Sequence, residues 1–260
     1  MGNAGQKVST LFRWAEDEDY VERNLARGLA DPGAGTHSED DRHPFSIEEL
    51  QKIFSSPLYS GCIDDQRNYA RPGTNRPRRA RFWVPLISLF HGMRLNEICQ
   101  LQLGQIKTER GIWYFDIRVS DGGQRLKTSQ SKRRIPLHPK ILEIGFLSYL
   151  SQLRERGEVQ LFPELTLDAR GYHSRKLTRW FASFLESCSV RSSRKSFHSF
   201  RHTWRDAARE NRVPDEAAEA VGGWARNGTA SRYGSGYSLE FLEGEMKRIH
   251  YPGLDLRHLC

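Results

Sequence analysis

His198-Ser199-Phe200-Arg201 opens a helical stretch that runs on to Gly222-Gly223-Trp224, and Tyr233 follows Trp224 by nine residues. A separation of three places the imidazole of His198 and the guanidinium of Arg201 on one helix face. Arg201 can hold two phosphate oxygens at once, and His198 can give or take a proton beside it. With the Tyr233 phenol in the same segment, every side chain of the set can act on a phosphate.

Working outward, Gly92-Met93-Arg94-Leu95-Asn96-Glu97-Ile98 puts Arg94 at a helix start, with Glu97 three residues on and able to orient its guanidinium. This motif, the H-x-x-R box, a Gly-Gly-Trp where Gly-His is usual and the tyrosine nine residues later resemble the catalytic box of the tyrosine recombinases, the phage integrase family. The resemblance implies an α+β, mostly α fold: a helical bundle with a small antiparallel sheet carrying a lysine hairpin. It also implies a DNA strand-transfer enzyme that needs no metal, ATP or other cofactor. Tyr233 would attack phosphorus and conserve the phosphodiester energy in a 3′-phosphotyrosyl bond. Arg94 and Arg201 would grip the non-bridging oxygens where charge develops. Lys127, on the first arm of the hairpin, would protonate the leaving oxygen, with Lys132 across the turn as runner-up, and His198 would position the tyrosine or stabilise the phosphate. Trp224 stands in for a histidine; an indole can donate its N–H to a phosphate oxygen but cannot shuttle a proton.

The charge fits a polyanionic partner. The chain of 260 residues carries +8, but residues 1 to 44 hold five Lys/Arg against nine Asp/Glu, leaving 35 against 23, or +12, for residues 45 to 260. Double-stranded DNA is the expected partner of such a domain, though RNA fits the charge equally. The longest apolar runs, such as Phe82 to Phe90, fall short of a membrane span. Four cysteines, Cys62, Cys99, Cys188 and Cys260, lie far apart with no C-x-x-C. That spacing argues against a zinc site or disulfide framework and for a reducing cytoplasm, where a DNA enzyme would associate with the nucleoid. His198 and His202 have metal-pair spacing, but no glutamate of an H-E-x-x-H motif and no third ligand accompanies them.

Val8 to Leu29 reads as one amphipathic helix. Its pattern resembles the last helix of the core-binding domain that precedes the catalytic domain in this family, so residues 1–30 are expected to be the remnant of such a domain. Residues 31–44, rich in Gly, Pro and acids, read as a linker, and 45–260 as the catalytic domain. A helix opens at Ser46. Tyr59 to Arg81 is an irregular insertion whose Arg71, Arg76, Arg78, Arg79 and Arg81 fit either a DNA-backbone track or a solvated surface. Arg81 to Gly104 reads as two helices broken near His91-Gly92, Ile112 to Val119 as a strand, and Arg125 to Leu137 as a hairpin in which Lys132, Arg133 and Arg134 can simply protect a sheet edge. Pro139 to Arg156 reads as a single core helix. His173 to Cys188 shows Arg175, Lys176 and Arg179 on its polar side, a face suited to DNA, as Lys132 is. Helices follow over Phe197 to Arg209, from Pro214 to Gly222, and over Ser238 to Tyr251. The apolar tail Pro252 to Leu256 has little of its own to pack on and, by the resemblance, docks on a neighbouring subunit of a homotetramer.

Tyr237 is the competing nucleophile, but Tyr233 alone has the nine-residue spacing from Trp224. Two other functions use the same scaffold: a DNA-binding protein that no longer cuts, and a type IB-like topoisomerase. The complete residue set argues against the first. Strand exchange between two marked duplexes separates a recombinase from the second.

Overall fold

The structure, a computed structural model, describes residues 4–17, 20–21, 23–26, 42–118, 132–169, 171–224 and 236–260. These fall into two compact units, Met1–Arg42 and His43–Cys260. The first holds helix α1, Ala4–Asp17, with Leu11 and Trp14 more than half exposed. The helix does not run on to Leu29 as expected: Tyr20, Val21 and Asn24 to Ala26 are non-helical, and the Tyr20 amide turns back to the Ala15 carbonyl at 2.8 Å. Glu16, in the last turn of α1, adds to the negative charge that the carbonyl end of a helix already carries, which disfavours its continuation.

The second unit is mostly helical: α2 (Ile47–Phe54), α3 (Pro57–Ser60), α4 (Ala80–His91), α5 (Leu95–Cys99), α6 (Pro139–Glu143), α7 (Phe146–Glu155), α8 (Arg175–Ser187), α9 (Ser199–Glu210), α10 (Asp215–Gly222) and α11 (Leu239–Arg248). Between α5 and α6 lie three antiparallel strands in sequential order, β1 (Ile106–Glu109), β2 (Ile112–Ile117) and β3 (Arg133–Pro136). This is the fold class the resemblance implied. Strand β1 was not anticipated, since Ile-Lys-Thr-Glu carries a single large apolar residue; its pairing with β2 from Ile106↔Phe115 to Glu109↔Ile112 makes it a strand. Strands β2 and β3 pair through Phe115↔Ile135 and Ile117↔Arg133; residues 119–131 between them, Lys127 included, lie outside the described residues.

Helix α4 is the central post. From Phe82 to His91 every residue is buried, and α9 packs along it, with the Trp204 indole N–H donating to the Phe90 carbonyl at 3.1 Å. Pro85 inside α4 leaves the Arg81 carbonyl without its helical donor, and the Tyr59 hydroxyl lies 3.4 Å from that oxygen and 3.3 Å from the Phe82 carbonyl. An all-round apolar helix of this kind must sit inside the bundle, so residues at its end are fixed firmly.

Three expectations are corrected here. Pro139 to Arg156 is two helices, because Gly145 at φ 97 breaks the run between α6 and α7. Three of the insertion's arginines serve the protein: Arg78 binds the carbonyls of Ile144 and Leu259, Arg79 pairs with Asp65, and Arg81 binds the carbonyls of Asp65 and Gln66 and lies over Trp180. They are not a phosphate track. The C-terminal tail also has partners of its own: Leu256 and Leu259 are buried, Asp255 exchanges two hydrogen bonds with Gln51, and the Tyr251 hydroxyl reaches the Leu89 carbonyl.

Candidate active site

The site is assembled on the carbonyl end of α10. The last turn of a helix leaves carbonyls without intrahelical donors and carries partial negative charge, so it attracts cations. Three successive carbonyls there are taken by three arginines from three different elements. Arg133 of β3 donates from Nε to Val221 at 2.6 Å, Arg201 of α9 donates from Nη1 to Gly222, and Arg94 at the start of α5 donates from Nη2 to Gly223 at 2.9 Å.

Glu97 neutralises part of this cluster. Its carboxylate accepts from Arg94 Nη1 at 2.9 Å, from the Arg94 amide at 3.0 Å and from Arg133 Nη2 at 2.8 Å. Burial pushes the Glu97 carboxyl upward, and the two guanidiniums reverse this, leaving it below the ordinary glutamate value and charged. The expected orienting role of Glu97 toward Arg94 is thus visible as geometry. Arg94 keeps about a quarter of its side chain exposed, at 27%, and can reach a ligand.

Arg201 is buried, at 3% exposure, and is pushed down to about 9, by burial first and then by repulsion from Arg94, Arg133 and Arg205 against the attraction of Glu97. Its Nη1 is committed to the Gly92 and Gly222 carbonyls, while Nη2 has no hydrogen-bond partner among the described residues. A buried guanidinium nitrogen without an acceptor is costly, and an anion is the group that would remove the cost. Trp224 covers this arginine: the Arg201 Cζ lies 3.7 Å from the indole centroid, and the indole stacks on Trp204 at 5.9 Å and 20°.

Glycine is required at both positions of the turn. A Cβ on Gly222 would fall 1.8 Å from the Trp224 ring, and one on Gly223, at φ 66, would fall 2.8 Å from the Arg133 guanidinium.

His198, Arg201 and Trp224 line one cavity of about 470 Å³, together with His202, Arg205, Asp206, Arg209 and Glu219. His198 is the residue preceding α9 rather than an interior helix position, and its ring lies 4.9 Å from that of His202. Arg205 is paired with Asp215 at 3.0 Å. The structure therefore brings His198, Arg201 and Trp224 to one cavity and Arg94 to the same helix end. Lys127 and Tyr233 lie outside the described residues. Tyr237 donates to Glu216 at 2.8 Å.

Among the residues read as DNA-facing, Lys132 is exposed just before β3. Arg175, Lys176 and Arg179 are exposed on α8; Arg175 lies 3.7 Å from Asp168, and Lys176 donates to Thr166 at 2.9 Å. Sequence reading missed Arg133 by treating it as edge protection along with Arg134. The available signal was strand alternation: Arg133 shares a face with the buried Ile135, so its side chain is 7% exposed, while Arg134 points outward to Glu109 at 42%.

The comparisons with known proteins agree with this architecture. The model of the phage integrase family matches residues 78–237, which span Arg94, Arg201 and the helix end between them. No curated protein sequence matches the chain. Among solved structures, the integrase of mycobacterium phage Brujita is 15% identical with a TM-score of 0.53, over 98% of this chain and 74% of that one. The lambda integrase tetramer bound to a Holliday junction is 17% identical with a TM-score of 0.51, over 85% of this chain and 59% of that one. The XerH site-specific recombinase in a post-cleavage complex with palindromic difH is 19% identical with a TM-score of 0.50, over 83% and 57%. At such identities the structures establish a shared fold, and the sequence match over more than half the chain establishes the rest: this chain belongs to the phage integrase family of tyrosine-type DNA strand transferases.

Proposed function

We propose that residues 45–260 cleave and rejoin double-stranded DNA at specific sites through a 3′-phosphotyrosyl intermediate on Tyr233, without metal or ATP. The observation that carries this reading is the Arg201 Nη2, which has no hydrogen-bond partner among the described residues and is buried under Trp224 near Arg94. A pentacoordinate phosphorane gains negative charge on its non-bridging oxygens, and preorganised donors that lose nothing in reorganisation stabilise it most. Arg94 and Arg201 are such donors, His198 stands in the same cavity as Arg201, and Lys127 is the proton source for the leaving oxygen. The polar face of α8 supports DNA as the substrate: Arg175, Lys176 and Arg179 are exposed there, and exposed cations on one helix face suit phosphate contacts.

The working assembly is a homotetramer on two duplexes, with the C-terminal tail docked on a neighbour. Tail exchange would reproduce between subunits the contacts that Leu256, Leu259 and Asp255 make within one chain. The test uses a duplex selected by the protein from a random DNA pool and nicked beside the preferred phosphate. Covalent protein–DNA adduct and strand exchange between two marked duplexes are expected; adduct formation with relaxation but no exchange would favour the topoisomerase, and binding with no adduct would refute cleavage.

A further inference from the structure

Arg133 is a buried charge that the reaction as proposed does not use. Burying a guanidinium is worthwhile only where its donors are satisfied, and among the described residues Arg133 donates to the Val221 carbonyl at the end of α10 and to both oxygens of Glu97, at 2.8 and 3.4 Å. Glu97 in turn holds Arg94, and Arg94 holds Gly223. The contacts close a ring: Val221 to Arg133, to Glu97, to Arg94, to Gly223, and back along the backbone to Val221. A ring of this kind fixes Arg94 from two sides, whereas Glu97 alone would hold it through a single rotatable side chain.

We propose that Arg133 is a positioning residue for DNA cleavage, holding Glu97, and through Glu97 the Arg94 guanidinium, against the carbonyl end of α10. The inference rests on the cleavage reading above. It adds a mechanical consequence: β3 follows the segment bearing Lys127, six residues upstream of Arg133, so the return arm of the hairpin is fastened to the arginine site. Three charged groups face Glu97: Arg94 at the start of α5, Arg133 on β3 and, more distantly, Arg201 on α9. Removing Arg133 takes away the cation that most favours the carboxylate. Protonation of Glu97 would then release Arg94.

The experiment measures single-turnover adduct formation on the selected nicked duplex from pH 5.5 to 8, together with DNA affinity. Arg133→Gln is expected to slow cleavage on the order of tenfold to a hundredfold, the scale of misplacing a catalytic group by about an ångström. DNA affinity should stay within about threefold, since a buried residue makes no direct phosphate contact. The residual rate should fall as pH drops, whereas Arg133→Lys, which keeps a cation beside Glu97, should be slower than wild type with no added pH dependence. Arg134→Gln, on the outer face of the same strand, should match wild type. If Arg133→Gln fails to fold, Glu97→Gln/Arg133→Gln removes both charges together and serves in its place; it should fold and remain slow. A folded Arg133→Gln, or the double variant, cleaving at the wild-type rate would overturn the inference while leaving the cleavage reading intact. Wild-type protein that binds this duplex without forming adduct would overturn both.

Discussion

Arg94 and Arg201, which are separated by 107 positions in the chain, donate to adjacent carbonyls, Gly223 and Gly222, at the end of a single helix. Arg94 gives its other terminal nitrogen, Nη1, to Glu97, and Arg201 keeps Nη2 without a partner among the described residues. The helix end therefore serves as a template that sets the spacing of the two guanidiniums proposed to grip the phosphate.

That template predicts a sharp response at the turn. Gly222→Ala places a methyl inside the Trp224 ring, so Trp224 must leave its seat over Arg201. A stability loss of about 1–3 kcal/mol is expected from overpacking, with cleavage falling further than stability alone explains. Thermal unfolding and adduct formation measured on the same variant check this; unchanged cleavage would show that the Trp224 seat is dispensable.

Arg201→Lys should be nearly as damaging as Arg201→Ala. An ammonium cannot bind the Gly92 and Gly222 carbonyls and still offer a phosphate donor in a fixed plane, and losing such a donor costs about 3 kcal/mol, on the order of a hundredfold in rate. Adduct rates at saturating DNA measure the loss. A lysine variant within a few-fold of wild type would mean that charge alone suffices.

Trp224 is expected to act as a cover more than as a hydrogen-bond donor. Trp224→Phe keeps an aromatic face for Arg201 and should lose less than Trp224→Ala, which gives up a desolvated cation–π contact of about 2 kcal/mol. Comparable losses in both variants would assign the work to the indole N–H.

His91 and His138 give the fold a pH limit. The His138 amide donates to His91 Nε2 at 2.9 Å, so His91 carries its proton on Nδ1, facing the Ile87 carbonyl at 3.0 Å; the Lys140 amide donates to His138 Nδ1, leaving Nε2–H for the Ile249 carbonyl at 2.8 Å. Burial pushes His91 down to about 3, helped by His138, and His138 down to about 4. Both folded values lie below the unfolded one, so the unfolded chain binds protons first as pH falls. The stability that the neutral rings contribute is complete well above pH 6.5 and drains away as pH falls toward about 3 for His91 and about 4 for His138, with a loss of about 2 kcal/mol per ring by pH 5. Urea midpoints at pH 7 and 5 test this, and His91→Gln should remove about half of the difference.

The sequence was most legible where chemistry and periodicity coincide. Arg94, Glu97, Arg201 and Trp224 stand in motifs whose spacing survives any packing detail, and the largely apolar run from Phe82 to Phe90 in α4 could only pack inward. What escaped reading depends on contacts distant in the chain. Strand β1 exists because β2 offers it a ladder, Arg78 turns inward because Ile144 and Leu259 offer carbonyls, and the tail folds back because Gln51 and Leu89 receive it. Arg133 lay between these cases: its alternation with Ile135 was readable, but a charge on the core side of a strand makes sense only once Glu97 and Val221 are seen beside it.

The most direct test of the account is Tyr233→Phe on the selected nicked duplex. The substitution removes one oxygen and leaves Arg94, His198, Arg201 and Trp224 in place, so DNA binding should be retained and covalent attachment abolished, while Tyr237→Phe keeps both. Full covalent trapping by Tyr233→Phe would contradict the assigned nucleophile and move it to Tyr237.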